Sequence, residues 1–216
     1  LKNGCCGELI NDHVLASEII EATKKGVNGK IPVSVKTRIG FREFDKSWIE
    51  FVLNQEISML SVHLRTVREM SKVPAHWELM NEINKIRNKV SPDTLLVGNG
   101  DVENARQAKE LSENYSIDGV MIGRGVFGDP YALSADSPWQ SMSPLEKIEI
   151  YKNHVSLFKK TWKNDEYPVV ALNKFCKIYV NGFDGAKELR EKLMGASNPD
   201  ELLAFIEQSL GDIRQS

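Results

Sequence analysis

Apolar positions in the first part of the chain switch repeatedly between two spacings, and the switching predicts strands and helices in turn. Leu15, Ile19 and Ala22 recur at helical spacing and predict a helix that ends near the stop signal Lys24-Lys25-Gly26. Ile31-Pro32-Val33-Ser34-Val35-Lys36-Thr37 is a β-branched run with proline near its start, where a strand tolerates it. Trp48 to Leu53 predicts a helix, and Met59-Leu60-Ser61-Val62-His63 a strand. A further helix is predicted to open at Pro74, with Trp77, Met80, Ile83 and Ile86 repeating every third residue. Strand 94–98, a helix containing Val102, Ala105 and Ala108, and strand 118–122 complete the series. Alternating βα units with nearly continuous apolar strands predict a parallel sheet covered by helices.

Four such units make half of a (β/α)8 barrel, whereas an open doubly wound sheet needs no second half; the pattern allows both. From Ser143 the signal is helical only. Pro144 opens a helix carrying Ile148, Tyr151, Val155 and Phe158, and further helices are predicted over 169–181, 185–194 and 199–210. Leu202, Phe205, Ile206 and Leu210 form the last apolar stripe. The chain is thus expected to divide into α/β residues 1–135, a linker at 136–143 and a helical domain at 144–216.

Composition changes this picture little. The 216 residues are 41% hydrophobic and 27% charged, ordinary for a soluble globular protein, and the formal charge of −2 gives no general attraction for nucleic acid. Three cysteines, two adjacent at Cys5 and Cys6, form neither a disulfide framework nor a metal-binding CxxC pair. Cys176 lies among Leu172, Phe175, Ile178 and Tyr179 and is expected in a core. No metal, no membrane span and no signal peptide are expected, and a reducing cytoplasm is the default location. The opening at Leu1, without methionine, is read as a sign of a fragment.

Candidate chemistry gathers at the strand ends. Leu95-Leu96-Val97-Gly98-Asn99-Gly100-Asp101 and Gly119-Val120-Met121-Ile122-Gly123-Arg124-Gly125 are apolar runs that stop in glycines and a polar group. Glycine lets backbone N–H groups approach a ligand closely, and two such exits, one with an arginine, describe a phosphate cradle. In a parallel sheet Lys36, His63, Asn99, Asp101 and Arg124 converge on one rim. Lys36 interrupts an apolar run, which suits a cation held against an anionic or electron-rich ring; a lysine snorkelling from a strand end is the alternative. His63 has an equally simple structural reading, and Arg65, Arg68 and Glu69 read as a solvated loop. Arg124 between glycines suits a bidentate grip on phosphate.

Taken together, Val33-Ser34-Val35-Lys36-Thr37-Arg38, His63-x-Arg65-Thr66, Gly98-Asn99-Gly100-Asp101 and Gly119 to Gly125 resemble the tRNA-dihydrouridine synthase family in order and spacing. Asn181-Gly182-Phe183-Asp184-Gly185-Ala186-Lys187-Glu188-Leu189-Arg190 resembles the family's C-terminal tRNA-binding domain. The resemblance covers essentially the whole chain. It implies an FMN-containing (β/α)8 barrel that reduces uridine to 5,6-dihydrouridine in tRNA with NADPH as reductant. It places Lys36 and His63 against the isoalloxazine and Asn99, Gly100, Asp101, Gly123 and Arg124 around the ribityl phosphate. Arg38, Arg65 and Lys174 are the residues assigned to tRNA. Charge alone does not show RNA binding: from Ser143 onward eleven Lys or Arg balance eleven Asp or Glu, although Lys159-Lys160-Lys163 and Lys174-Lys177 form local clusters.

Two departures stand out. Leu64 occupies the position after the motif histidine where the family usually has glycine. The family's Gly-Cys-Pro, whose cysteine protonates uracil C5, has no counterpart in the sequence, so no catalytic residue is assigned. That cysteine and the first half of the barrel are expected upstream of Leu1, leaving apolar sheet edges at 32–37 and 118–122, weak FMN binding and no synthase activity for the 216 residues alone. Two other readings remain: another FMN- or phosphate-binding barrel oxidoreductase acting on a small metabolite, or a non-catalytic RNA-binding module.

Overall fold

A computed structural model describes residues 5–162 and 167–215, with side chains described as far as Gly211. It divides into two units, residues 1–126 with 132–135, and residues 127–131 with 136–216.

In the first unit, α1 (His13–Val27), β1 (Ser34–Arg38), α2 (Lys46–Leu53), β2 (Met59–His63), α3 (Met80–Val90), β3 (Leu95–Asn99), α4 (Ala105–Tyr115) and β4 (Gly119–Met121) follow one another. The strands form a parallel sheet in the order β1-β2-β3-β4. Polar side chains start the helices. The Asp12 carboxylate accepts from the Leu15 N–H at 3.0 Å, Asp45 from Trp48 at 3.0 Å and Asn104 from Gln107 at 2.9 Å. α1 ends at Asn28 in the left-handed conformation, φ 47°.

Strand alternation sorts the sheet into two faces. Val35, Leu60, Val62 and Leu96 pack with Ile49, Val52, Leu53, Met80 and Ile83 of the helices to form the core. Thr37 belongs to the same face, its hydroxyl accepting from the Trp48 indole N–H at 2.9 Å. The opposite set, Lys36 and Arg38 on β1, Ser61 and His63 on β2, and Val97 and Asn99 on β3, therefore shares the other face. Register aligns Arg38, His63, Asn99 and Met121 in one row across all four strands.

Three expected helices differ in detail. The one expected from Pro74 begins as a 3-10 turn, Trp77–Leu79, before α3. The backbone N–H groups before it are used elsewhere: Ala75 donates to the Asp101 carboxylate at 2.9 Å and His76 to the Leu64 carbonyl at 2.7 Å. Val102 lies outside α4 in a loop, although it is buried there. The single helix expected over 169–181 is two short ones, α6 (Val170–Asn173) and α7 (Cys176–Tyr179). Bonds to the third preceding residue, such as Phe175 N–H to Leu172 C=O at 2.9 Å, tighten this segment. The buried Asn173 side chain is meanwhile drawn to the Ala196 carbonyl at 2.9 Å.

The second unit also contains α5 (Pro144–Thr161), α8 (Ala186–Gly195) and α9 (Pro199–Gln215). Ser143 and Glu146 start α5 with a reciprocal capping box. Its core joins Ile148, Tyr151 and Val155 to Leu193, Leu202 and Ile206, with Cys176 buried among them. Burial pushes the Cys176 thiol pKa up, which makes it unreactive packing. No helix among the described residues is long and apolar enough to cross a membrane.

Candidate functional site

The site is the C-terminal rim of the sheet, where the row Arg38–His63–Asn99–Met121 ends. Its organising group is Asp101. This carboxylate accepts hydrogen bonds from the Ala75 N–H (2.9 Å), from Arg124 Nη2 (3.1 Å) and from Arg65 Nη2. The Arg65 hydrogen bond is the largest influence holding its pKa below the usual carboxylate value. Asp101 thus accepts from three donors and ties two guanidinium groups to one carboxylate.

Arg65 is 2% exposed, not part of a solvated loop as its sequence neighbourhood predicts. Its guanidinium donates to the Val73 carbonyl from Nε (2.6 Å), to His63 Nε2 from Nη1 (3.2 Å) and to Asp101 from Nη2. Burial keeps it from presenting a charge to RNA at the surface. Arg38, at the end of β1, is committed to the loop after β2, donating through Nη1 to the Thr66 and Met70 carbonyls at 2.8 and 3.0 Å.

Arg124 differs from both. Its side chain is 64% exposed and Asp101 is its ion-pair partner. A Cβ at the adjacent Gly123 would meet open space. Gly125 has another cause: a Cβ there would lie 2.5 Å from the Glu103 carbonyl oxygen, so close backbone packing requires glycine. Gly100 is constrained twice, by a φ of +139° and by Ala75, whose Cβ would lie 2.6 Å from an added Cβ. The Trp77 indole N–H donates to the Gly100 carbonyl at 2.9 Å and secures this turn.

Lys36 is exposed and has no hydrogen-bond or ion-pair partner among the described residues. Partial burial, then Arg38, lowers its ammonium pKa. His63 is pushed down to about 4, mainly by burial and then by Arg38, Lys36 and Arg65, so it is neutral at physiological pH. Asn99 donates its amide to the Met121 carbonyl at 2.8 Å, tying β3 to β4. The rim therefore combines an uncommitted ammonium, a neutral imidazole, an exposed guanidinium and open space beside glycine. That set suits a ligand with an electron-rich ring and a phosphate.

Lys174 lies in the second unit, exposed, with its ammonium 5.1 Å from the Phe175 ring centroid; Phe175 stacks on Phe127 at 5.6 Å. Lys159 pairs with Asp200, and Lys163 of the same basic cluster lies outside the described residues. Cys5 and Cys6 are exposed.

One group had no warning in the sequence. His76 sits between two carboxylates, Nε2 to Glu69 at 2.9 Å and Nδ1 to Glu78 at 2.9 Å, and Glu69 also accepts from the Thr66 N–H at 2.7 Å. The Glu69 hydrogen bond is the largest cause raising the His76 pKa above 6.5. Its stabilising contribution is fully present below pH 6.5 and is lost as pH rises through the raised folded value. Urea unfolding at pH 6 and at pH 8.5 should show His76→Gln more destabilised relative to wild type at the lower pH, a comparison in which the opposite contributions of His63 and His154, whose pKa values are lowered, cancel. An equal pH dependence in the variant contradicts the assignment.

Comparison with known proteins agrees with the geometry. The family profile described as Dihydrouridine synthase (Dus) matches residues 2–213. A probable tRNA-dihydrouridine synthase of Staphylococcus aureus (strain N315) is 44% identical over 209 residues, 96% of this chain and 62% of the relative. Probable tRNA-dihydrouridine synthase 2 of Bacillus subtilis (strain 168) is 42% identical over 207 residues, 95% of this chain and again 62% of the relative. The chain thus spans 62% of the length of these two curated relatives.

Proposed function

The chain belongs to the dihydrouridine synthase family, and from that premise we propose that its sheet rim holds FMN in an enzyme that reduces uridine to 5,6-dihydrouridine in tRNA with NADPH as reductant. The activity is proposed for a protein of the relatives' full length. The parallel order β1-β2-β3-β4 is read as half of a (β/α)8 barrel. The helices of the second unit are read as the tRNA-binding part, with Lys174 and its neighbouring ring Phe175 as one contact.

The observation that carries the reading is Arg124, an exposed guanidinium steadied by Asp101 beside the open space at Gly123. It would hold the phosphate, with Asn99 and the Gly100 turn as its neighbours. Lys36 would face the ring system, where its positive charge stabilises added negative charge. His63 would offer a neutral polar group beside it. When bound, the flavin supplies the hydride that reduces uracil at C6. Arg65 and Asp101 would hold the binding groups in place, which reassigns Arg65 from tRNA contact, and Asp101 from contact with the phosphate, to support. No described residue is assigned as the acid for C5. The target base must leave its stack to reach such a rim, which favours a tRNA loop.

The test is genetic. Deleting the encoding gene in its own host should remove dihydrouridine from one or more tRNA positions, measured by mass spectrometry, and the intact gene should restore it. A tRNA dihydrouridine pattern unchanged at every position overturns the proposal.

A further inference from the structure

We infer that Arg65 is a positioning residue that fixes the tautomer of His63, leaving Nδ1–H as a neutral hydrogen-bond donor for the ligand on the open face of the sheet. A guanidinium has five N–H donors and no acceptor, and it stays protonated. Its Nη1 lies 3.2 Å from His63 Nε2. A hydrogen bond there requires a lone pair on Nε2, which puts the ring proton on Nδ1. Arg65 cannot turn away from this role, because Nε is held by the Val73 carbonyl at 2.6 Å and Nη2 by Asp101.

The same Cδ2–Nε2 edge of the imidazole faces the turn after β3. A Cβ on Gly100 would lie 3.4 Å from His63 Cδ2 and 3.8 Å from Nε2, so glycine leaves the ring room there. Nδ1 has no partner among the described residues. The charged groups facing the ring are Lys36 and Arg38 from β1, Arg65 from its own loop and Asp101 from the β3 exit. Three cations against one carboxylate oppose a second proton on the ring. His63 therefore donates without carrying charge, and the positive charge around it stays with Lys36, Arg38 and Arg65.

The donor's value to catalysis rests on the flavin reading, whereas the tautomer does not. On that reading the Nδ1–H meets an acceptor atom of the ring system. It orients the ring without adding a second charge beside the Lys36 ammonium.

The experiment is long-range 1H–15N NMR of the histidine rings in the 15N-labelled 216-residue chain, with His63 assigned through a His63→Gln variant. The wild-type chain should show His63 as a single Nδ1–H tautomer, still neutral at pH 6. An Nε2–H form or a mixture overturns the inference. In Arg65→Met, which removes the donor, the single tautomer should give way to a mixture, and an unchanged spectrum in a folded variant also overturns it. If Arg65→Met does not fold, the wild-type spectrum decides by itself. Adding FMN to the wild-type chain should shift the His63 ring signals. The Nδ1–H tautomer with no response to FMN would overturn the ligand half of the inference and count against the flavin reading, while the role of Arg65 would stand.

Discussion

Replacing Asp101 by alanine should destabilise the chain by about 3 kcal/mol, the lower end of the range for breaking a buried ion pair. The cause is the state in which it leaves Arg65. That guanidinium is 2% exposed and would keep only the Val73 carbonyl and His63 as partners. Removing a partner from a desolvated charge costs more than the pair contributes, because the remaining charge stays out of water. The lower end applies because the Asp101 side chain itself is 38% exposed, so water reaches the vacated position. Alanine also frees the Ala75 N–H and releases Arg124. Asp101→Asn retains an acceptor and should cost about 1 kcal/mol. Urea unfolding of the two variants beside the wild-type chain measures both. Equal stability of Asp101→Ala and wild type would show that Arg65 finds other partners, against the reading of Asp101 as the organising group.

Gly100→Ala should be the most damaging small substitution at the rim. The residue has φ +139°, a backbone conformation that costs an L side chain about 1–3 kcal/mol. The added methyl would lie 2.6 Å from the Ala75 Cβ, and overpacking of that kind costs about 1–3 kcal/mol more. Ala75 cannot retreat freely, because its N–H is bonded to Asp101 and the Trp77 indole to the Gly100 carbonyl. Displacing Ala75 therefore disturbs Asp101, and with it Arg65 and Arg124. The variant should unfold at lower urea and lose ligand affinity together. By contrast Gly123→Ala, whose Cβ meets open space, should leave stability nearly unchanged. Comparable losses in the two variants would contradict the packing argument.

The sequence made the framework legible where one local rule decided it. Strands β1 to β4 are apolar runs bounded by turn residues, and their parallel order follows from the intervening helices. Ser143, Pro144 and Glu146 announce α5 within four residues. The break between α6 and α7 was hidden, because Asn173 bonds to a carbonyl 23 residues later.

The candidate site was legible as a set of positions but not as a set of roles. The strand-end rule placed Lys36, His63, Asn99 and Arg124 on one rim. It could not show that Asp101 serves Arg65, Arg124 and Ala75, since those contacts join residues 23 to 36 apart in sequence. For the same reason Arg65 read as a surface residue, and the Glu69–His76–Glu78 cluster had no signature. Gly125 misled in the opposite way, since its lack of a side chain serves the backbone at Val102 and Glu103.

The central claim is that Arg124 anchors the phosphate of a flavin whose ring faces Lys36. Titrating the chain with FMN and with riboflavin, followed by flavin fluorescence, separates the phosphate from the ring. FMN should bind at least about tenfold more tightly, the ratio expected from one charge-assisted phosphate contact of about 1.4 kcal/mol or more, and Arg124→Ala should remove most of that preference. Equal affinities of the wild-type chain for the two flavins, or an undiminished preference in Arg124→Ala, would contradict it.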